Sequence, residues 1–251
     1  DPLVSLGGGN AAFRAATQTQ SGIYAFIDNS LVKVADNNTL VPGGTGNFTD
    51  VVGAMRIGGG LAFSGRGDGS EYSTYTFIDG EIAIVADTNT PIPGGSGNFT
   101  AVTNAGWLGG ENLVLSGTGA GQSGIYTSID GTIELVADLT TTVSGGAGHF
   151  TEFNGVTPIG GNDLAFVGYI EQQQKGIYRF IDGDFSLVAD LNTPVPGGDS
   201  NFTQFFNLIS LGGGDIAFNG EGQPGQRGIY TFINGDLAVV VDENTPIPEG
   251  T

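Results

Sequence analysis

The apolar residues of this chain come in short runs that return at a fixed spacing. The segments GIYAFID, STYTFID, GIYTSID, GIYRFID and GIYTFIN begin at Gly22, Ser73, Gly124, Gly176 and Gly228. In the first, Ile23, Ala25 and Ile27 fall on one face of an extended strand and Tyr24 and Phe26 on the other. Apolar residues on both faces describe a strand covered on both sides. Before each segment lies an apolar triplet ending at Phe13, Phe63, Leu115, Phe166 or Phe218, and before each triplet a glycine cluster. This pattern predicts four strands per repeat. In the last copy they run from Phe202 to Leu211, Asp215 to Asn219, Ile229 to Ile233 and Leu237 to Val241, with Asn234-Gly235 as a two-residue hairpin turn between the third and fourth.

The fourth strand ends at a polar connector that also repeats. It reads VADNNTLVPGGTGNFT from Val34, VADTNTPIPGGSGNFT from Val85, VADLTTTVSGGAGHFT from Val136, VADLNTPVPGGDSNFT from Val188 and VVDENTPIPEGT from Val240. Its Asp falls at 36, 87, 138, 190 and 242, a spacing of 51, 51, 52 and 52. Five copies of about fifty residues fill the 251-residue chain. Four-stranded units of this length, each covered on both faces, predict an all-β fold: a five-bladed β-propeller with four antiparallel strands per blade. The expected organisation is a single domain, 1–251, with blades at 1–36, 47–87, 98–138, 149–190 and 201–242 and a tail at 243–251.

The residues Ser210-Leu-Gly-Gly-Gly-Asp-Ile-Ala-Phe218 and Gly228-Ile-Tyr-Thr-Phe-Ile-Asn234 resemble the WD40-like propeller repeat of the Tol-system periplasmic protein. The Ser-Pro-Asp-Gly turn of that repeat is missing, so the likeness is one of architecture. The fuller pattern GIYxFIDG through VADxNTPxPGGxGNFT is similar to tandem repeats of uncharacterised secreted bacterial proteins. It implies a propeller outside the cell and carries no functional residues with it. It also implies that strand one is innermost, that strand four is outermost, and that each blade is one continuous segment, with shared-blade closure as the alternative register. Tachylectin-like lectins share the blade count, but none of their motifs occurs here.

Composition narrows the partners. Glycine is abundant, at 46 residues, as many tight turns require. With no cysteine, disulfides and thiolate metal sites are excluded. Seven Lys and Arg stand against 26 Asp and Glu, a net charge of -19. Such a surface repels nucleic acid and anionic lipid and suits cations and neutral or basic ligands. No apolar run is long enough to span a bilayer, so direct membrane insertion is not expected. The abrupt start at Asp1 suggests a mature or trimmed product, and scarce lysine with abundant Gly, Thr and Asn fits a secreted, extracellular protein.

Function is expected in loops at one end of the strands. The nearly identical connectors lie there with the variable loops between strands two and three, such as Arg66-Gly-Asp-Gly-Ser-Glu71 and Tyr169-Ile-Glu-Gln-Gln-Gln-Lys175. One reading of the connector is purely structural: Asp starts an Asx turn, proline fixes φ and Gly-Gly allows positive φ. The other is a set of like sites, one per blade. The candidate binding residues are Asp36, Asn38, Thr39 and Asn47; Asp87, Asn89, Thr90 and Asn98; Asp190, Asn192, Thr193 and Asn201; and Asp242 and Asn244. Their carboxylates and amides suit a sugar, or calcium, although one carboxylate per copy is few for calcium. No cofactor is required. Copy three, with Thr140, Ser144 and His149 in place of Asn, Pro and Asn, is expected to be the weakest site.

Smaller signals have simpler readings. His149, the single histidine, reads as an Asn substitute, Trp107 as incidental, and Arg66-Gly67-Asp68 as a chance adhesion tripeptide. Asn37, Asn47, Asn98 and Asn201 fit the glycosylation sequon, but three of them follow the repeat. A glycosidase would want paired carboxylates, and the assigned inner strands offer Asp50, Glu152 and terminal Asp1. No cluster breaks the repeat symmetry there, so the chain is expected not to be an enzyme. The expected function is a secreted multivalent, lectin-like module that binds an extracellular glycan or surface ligand. The alternative is a surface or matrix assembly module, self-associating with calcium.

Overall fold

The computed structural model describes residues 3–143, 148–171, 174–223 and 226–246. They form twenty strands in five four-stranded antiparallel sheets, each built from four consecutive strands. The first sheet holds β1 (Val4–Gly7), β2 (Asn10–Ala16), β3 (Ser21–Ile27) and β4 (Ser30–Asp36). The second holds β5 (Phe48–Ile57), β6 (Gly60–Gly67), β7 (Ser73–Ile78) and β8 (Glu81–Ala86), and the third β9 (Ala101–Gly109), β10 (Asn112–Gly119), β11 (Gln122–Ile129) and β12 (Thr132–Asp138). The fourth holds β13 (Phe150–Gly160), β14 (Asp163–Ile170), β15 (Gln174–Ile181) and β16 (Asp184–Asp190). The fifth holds β17 (Gln204–Gly212), β18 (Asp215–Glu221), β19 (Arg227–Ile233) and β20 (Asp236–Asp242). The all-β class and the four strands per repeat are as the sequence predicts.

The turns explain why the strands end where they do. At each third hairpin both central residues have positive φ: Asp28 and Asn29, Asp79 and Gly80, Asp130 and Gly131, Asp182 and Gly183, Asn234 and Gly235. This is the type I′ turn, whose twist matches that of the flanking strands. In four sheets a side-chain oxygen of the second strand clasps the turn by accepting its first N–H. The pairs are Asp28 with Asn10, Asp130 with Asn112, Asp182 with Asp163 and Asn234 with Asp215, at 3.0–3.2 Å.

The chain falls into two compact units, Asp1–Val136 and Ala137–Thr251. Within the first, Ile23, Val34 and Ala35 of the first sheet pack with Phe48, Val51 and Leu61 of the second. Ile57, Ala62 and Ala86 of the second sheet pack with Phe99, Val102 and Leu113 of the third. Within the second unit, Ile177, Val188 and Ala189 pack with Phe202, Phe205 and Leu208. In the first unit strand three of one sheet meets strand one of the next, β3 with β5 and β7 with β9, which is why its apolar residues occupy both faces.

One aromatic arrangement recurs. The Phe of Asn-Phe-Thr (His-Phe-Thr in copy three) is buried at 48, 99, 150 and 202. It meets Tyr75, Tyr126, Tyr178 or Tyr230 edge-on, with ring centroids 4.9–5.1 Å apart. Its edge lies so close to strand two that a Cβ at Gly65, Gly117, Gly168 or Gly220 would stand 2.4–2.6 Å from the ring. These four glycines have no side chain because the phenylalanine occupies its place.

Candidate functional site: the connectors and the clefts beside them

Each connector starts with the same closed turn. The Asp N–H donates to the hydroxyl of the Thr three residues on, at 2.9–3.0 Å. That hydroxyl donates to Asp Oδ1 at 2.7–3.1 Å. The N–H two residues after the Asp donates to the same oxygen at 2.8–3.0 Å. The Thr N–H closes the ring on the Asp carbonyl at 2.9–3.1 Å. Asp36, Asp87, Asp138, Asp190 and Asp242 therefore each use Oδ1 within the turn.

The second carboxylate oxygen differs by copy. Asp36 Oδ2 accepts from Gln20 Nε2 at 2.7 Å, Asp87 Oδ2 from Asn89 Nδ2 at 3.0 Å and Asp190 Oδ2 from Asn192 Nδ2 at 3.3 Å. Burial acts to raise the Asp36 carboxyl, but hydrogen bonds from Thr39, Gln20, Asn38 and Lys33 outweigh it and hold it below its ordinary value. Asp87 is held low in the same way, its burial opposed by Asn89 and Thr90. For Asp242 the Thr245 hydroxyl is the main cause of the depression. Among the described residues no three Asp, Glu or His side chains gather as a metal set. One carboxylate whose Oδ1 is already taken fits a turn better than a calcium cage.

The rest of the connector is a small hairpin. In the first, Val41 N–H donates to Gly46 O at 2.9 Å and Phe48 N–H to Thr39 O at 3.0 Å. Asn47 pairs with Leu40, Asn98 with Pro91, His149 with Thr142 and Asn201 with Pro194 as isolated bridges. The Asn47 amide donates to Asn37 O at 3.4 Å, while His149 Nδ1 stands 2.8 Å from Thr140 O. His149 thus occupies the asparagine slot. Thr140 keeps the third turn intact, its hydroxyl donating to Asp138 Oδ1 at 2.8 Å. Ser144 lies outside the described residues. The Thr of Asn-Phe-Thr also has local partners: the Thr49, Thr100 and Thr203 hydroxyls donate to carbonyls at or just past the end of strand two, at 3.0–3.2 Å.

Clefts open beside these turns. In the first unit a polar groove of about 450 Å³ lies between the Val41–Gly46 hairpin, Asp68 and Ser70 of the variable loop, and Asp87 to Asn89. In the second unit Leu191, next to Asp190, lines a cleft of about 490 Å³, and Asp242 one of about 370 Å³. The candidate residues are thus not gathered into one site. Each copy keeps its own turn, and clefts open beside the turns of Asp87, Asp190 and Asp242.

The carboxylates considered for catalysis are engaged. Asp50 accepts from Arg14 at 2.9 Å and from the Tyr72 hydroxyl at 2.5 Å. The bond to Asp50 is the main reason the Tyr72 phenol is raised above its ordinary value. The Arg66 guanidinium lies 5.0 Å from the Tyr72 ring centroid, which ties down the arginine of the Arg-Gly-Asp tripeptide. Glu152 accepts from Asn154 at 2.7 Å, and Asp1 lies outside the described residues. The exposed Trp107 donates its indole N–H to Gly110 O at 3.0 Å. Repeat reasoning misses Tyr72 and Lys175. Both stand at a slot that other copies fill with Ser21, Ser123 and Arg227, and that variation was the available signal.

Comparison with known proteins places the fold. The chain is similar to the β-propeller domain of the trilobed protease of Pyrococcus furiosus, with a TM-score of 0.53, 14% identity, and coverage of 96% of this chain and 68% of that one. It is similar to a puromycin hydrolase mutant complexed with PGG, with a TM-score of 0.52 and 9% identity over 95% and 38% of the two chains. TolB from Acinetobacter baumannii matches with a TM-score of 0.49 and 10% identity over 93% of this chain and 51% of its own, so this chain spans about half the length of that relative. The first two likenesses carry the fold alone. They also correct one expectation. A hydrolase and the propeller domain of a protease stand among the similar structures, so the reading of the chain as no enzyme is overturned as an inference from its architecture. No helix among the described residues is long and apolar enough to cross a membrane. No curated protein matches the sequence. Residues 114–243, just over half of the chain, match the model of a family of unknown function, DUF7453, and the chain belongs to that family.

Proposed function

We propose that this chain is a secreted, multivalent binding module that takes carbohydrate into the clefts beside its connectors. The observation that carries the reading is the groove of about 450 Å³ in the first unit. Its wall is lined by Asp68, Ser70, Thr88 and the glycine-rich Val41–Gly46 backbone, and by Asp87 and Asn89, whose carboxylate and amide are bonded to each other. Closely set donors and acceptors on a rigid wall suit a ring bearing several hydroxyl groups. Similar clefts beside Asp190 and Asp242 support more than one point of attachment, and linked weak sites gain through avidity. The acidic composition supports a neutral or basic ligand, and the scarcity of lysine beside abundant Gly, Thr and Asn supports a place outside the cytoplasm.

A glycan array probed with the whole chain tests this. A set of bound neutral or amino glycans is expected, with binding weakened by Asp68→Ala combined with Asn89→Ala. An array with no bound glycan overturns the reading. Analysis of the same glycans for cleaved products decides whether binding leads on to hydrolysis.

A further inference from the structure

The fourth repeat departs from its sisters at three positions that meet in space. At the start of strand three the other copies have Ser21, Tyr72, Ser123 and Arg227, and the fourth has Lys175. After Phe-Thr they have Asp50, Ala101 and Gln204, and the fourth has Glu152. Near the end of strand two they have Ala16, Arg66, Thr118 and Glu221, and the fourth has Tyr169. These three side chains line one cleft of about 490 Å³ together with Glu171 and Gln204.

Lys175 is 8% exposed, among the residues that are rarely buried. Its ammonium donates to Gln204 Oε1 and lies 5.7 Å from the Tyr169 ring centroid. Burial pushes the amine below its ordinary value, with the nearby Glu221 opposing that shift. Taking a lysine out of water is costly, and the repeat does not need one here, since the sister copies form the same strand with serine, tyrosine or arginine. The expense points to a ligand. The cleft sets an aromatic face beside an amide and an amine, with Glu152 and Glu171 as acceptors.

We propose that this cleft binds the terminal ring of a neutral or amine-bearing sugar. The ring's apolar face lies on Tyr169, and its hydroxyl or amino groups donate to Glu152 and Glu171. The Gln204 amide, held by Lys175, supplies a further polar contact. Two carboxylates against one lysine, in a chain of net charge -19, disfavour an anionic sugar. The proposal rests on the reading of the chain as a carbohydrate binder and names one site and one ligand class.

Calorimetric titration of the whole chain with glucosamine oligosaccharides, their N-acetylated counterparts and galacturonate oligosaccharides tests it. The first two are expected to bind and galacturonate to fail. Glu152→Gln, close in shape, and Tyr169→Ala are each expected to weaken binding roughly ten-fold or more, as loss of a bond to a charged group or of an aromatic anchor does. Melting temperatures of both variants guard against a folding defect. Unchanged affinity in folded Glu152→Gln and Tyr169→Ala, or galacturonate binding as tightly as glucosamine, overturns the cleft. Binding lost in the Asp68→Ala and Asn89→Ala pair but kept in the cleft variants overturns the cleft while sparing the broader reading. The reverse pattern supports the cleft and removes the first-unit groove. No sugar bound by the unaltered chain overturns both.

Discussion

At the scale of single residues, the repeated Asp is the most heavily used group in each connector. Asp36 is fully buried and accepts from Asn38, Thr39, Gln20 and Lys33. Replacing it with Asn puts an NH₂ group where Gln20 or Thr39 donates. Asp36→Asn is therefore expected to cost about 1–3 kcal/mol in urea unfolding, the usual penalty of an unsatisfied buried donor. The acid limb of stability follows from the same bonds. The Asp36 and Asp87 carboxyls are held below their ordinary 3.8 in the folded chain. The stabilisation from these groups is complete above the unfolded value, near pH 4, and is lost as pH falls through the lower folded value. Melting temperatures are expected to drop steeply below about pH 4, and less steeply in Asp36→Asn. An acid limb equally steep in both proteins would assign the effect to other carboxylates.

At the scale of elements, the contact between phenylalanine and glycine fixes strand one against strand two. A methyl group at Gly168 would lie 2.4 Å from Phe150 Cε1. Gly168→Ala is expected to destabilise by about 1–3 kcal/mol, the cost of overpacking, read as a lower urea midpoint with an unchanged slope. Strand positions were legible in the sequence because turn chemistry marks their ends: Asp-Gly demands positive φ, and apolar segments lie between such turns. The bulges of strand one were harder to see. Gly53, Gly155 and Asn207 take positive φ inside β5, β13 and β17, where the register shifts. A glycine inside a strand hints at a bulge, but Asn207 carries no such mark. The connector turn was equally legible, since an Asp with a Thr three residues on closes locally. The bonds of Arg14 and Tyr72 to Asp50, and of Lys175 to Gln204, were not legible. They depend on which strands become neighbours, which periodicity alone leaves open.

At the scale of the whole molecule, charge is the dominant feature. The chain carries -19, and Arg14–Asp50, Lys33–Asp36 and Arg227–Glu221 are among its few opportunities for pairing. Self-repulsion of this size opposes compaction and is screened by salt. The melting temperature is expected to rise as sodium chloride goes from low to physiological concentration and beyond. A fall instead would show that the three ion pairs outweigh the repulsion. Screening also separates modes of ligand binding: a neutral sugar held by hydrogen bonds should keep its affinity in salt, whereas a cationic one should lose some.

The aromatic contact also bears on how such a chain can be inherited. Phe150, Gly168 and Tyr178 lie within 28 positions of one another, and the bonds of each connector close within a still shorter stretch. Both partners of these contacts therefore travel on one segment shorter than a repeat. Recombination between misaligned copies can add or remove a whole period at almost any breakpoint and rebuild the same contacts at the new junction. The contacts within each repeat thus set no bar to a change of copy number by single repeats, while an insertion or deletion falling between a phenylalanine and its glycine would part the two.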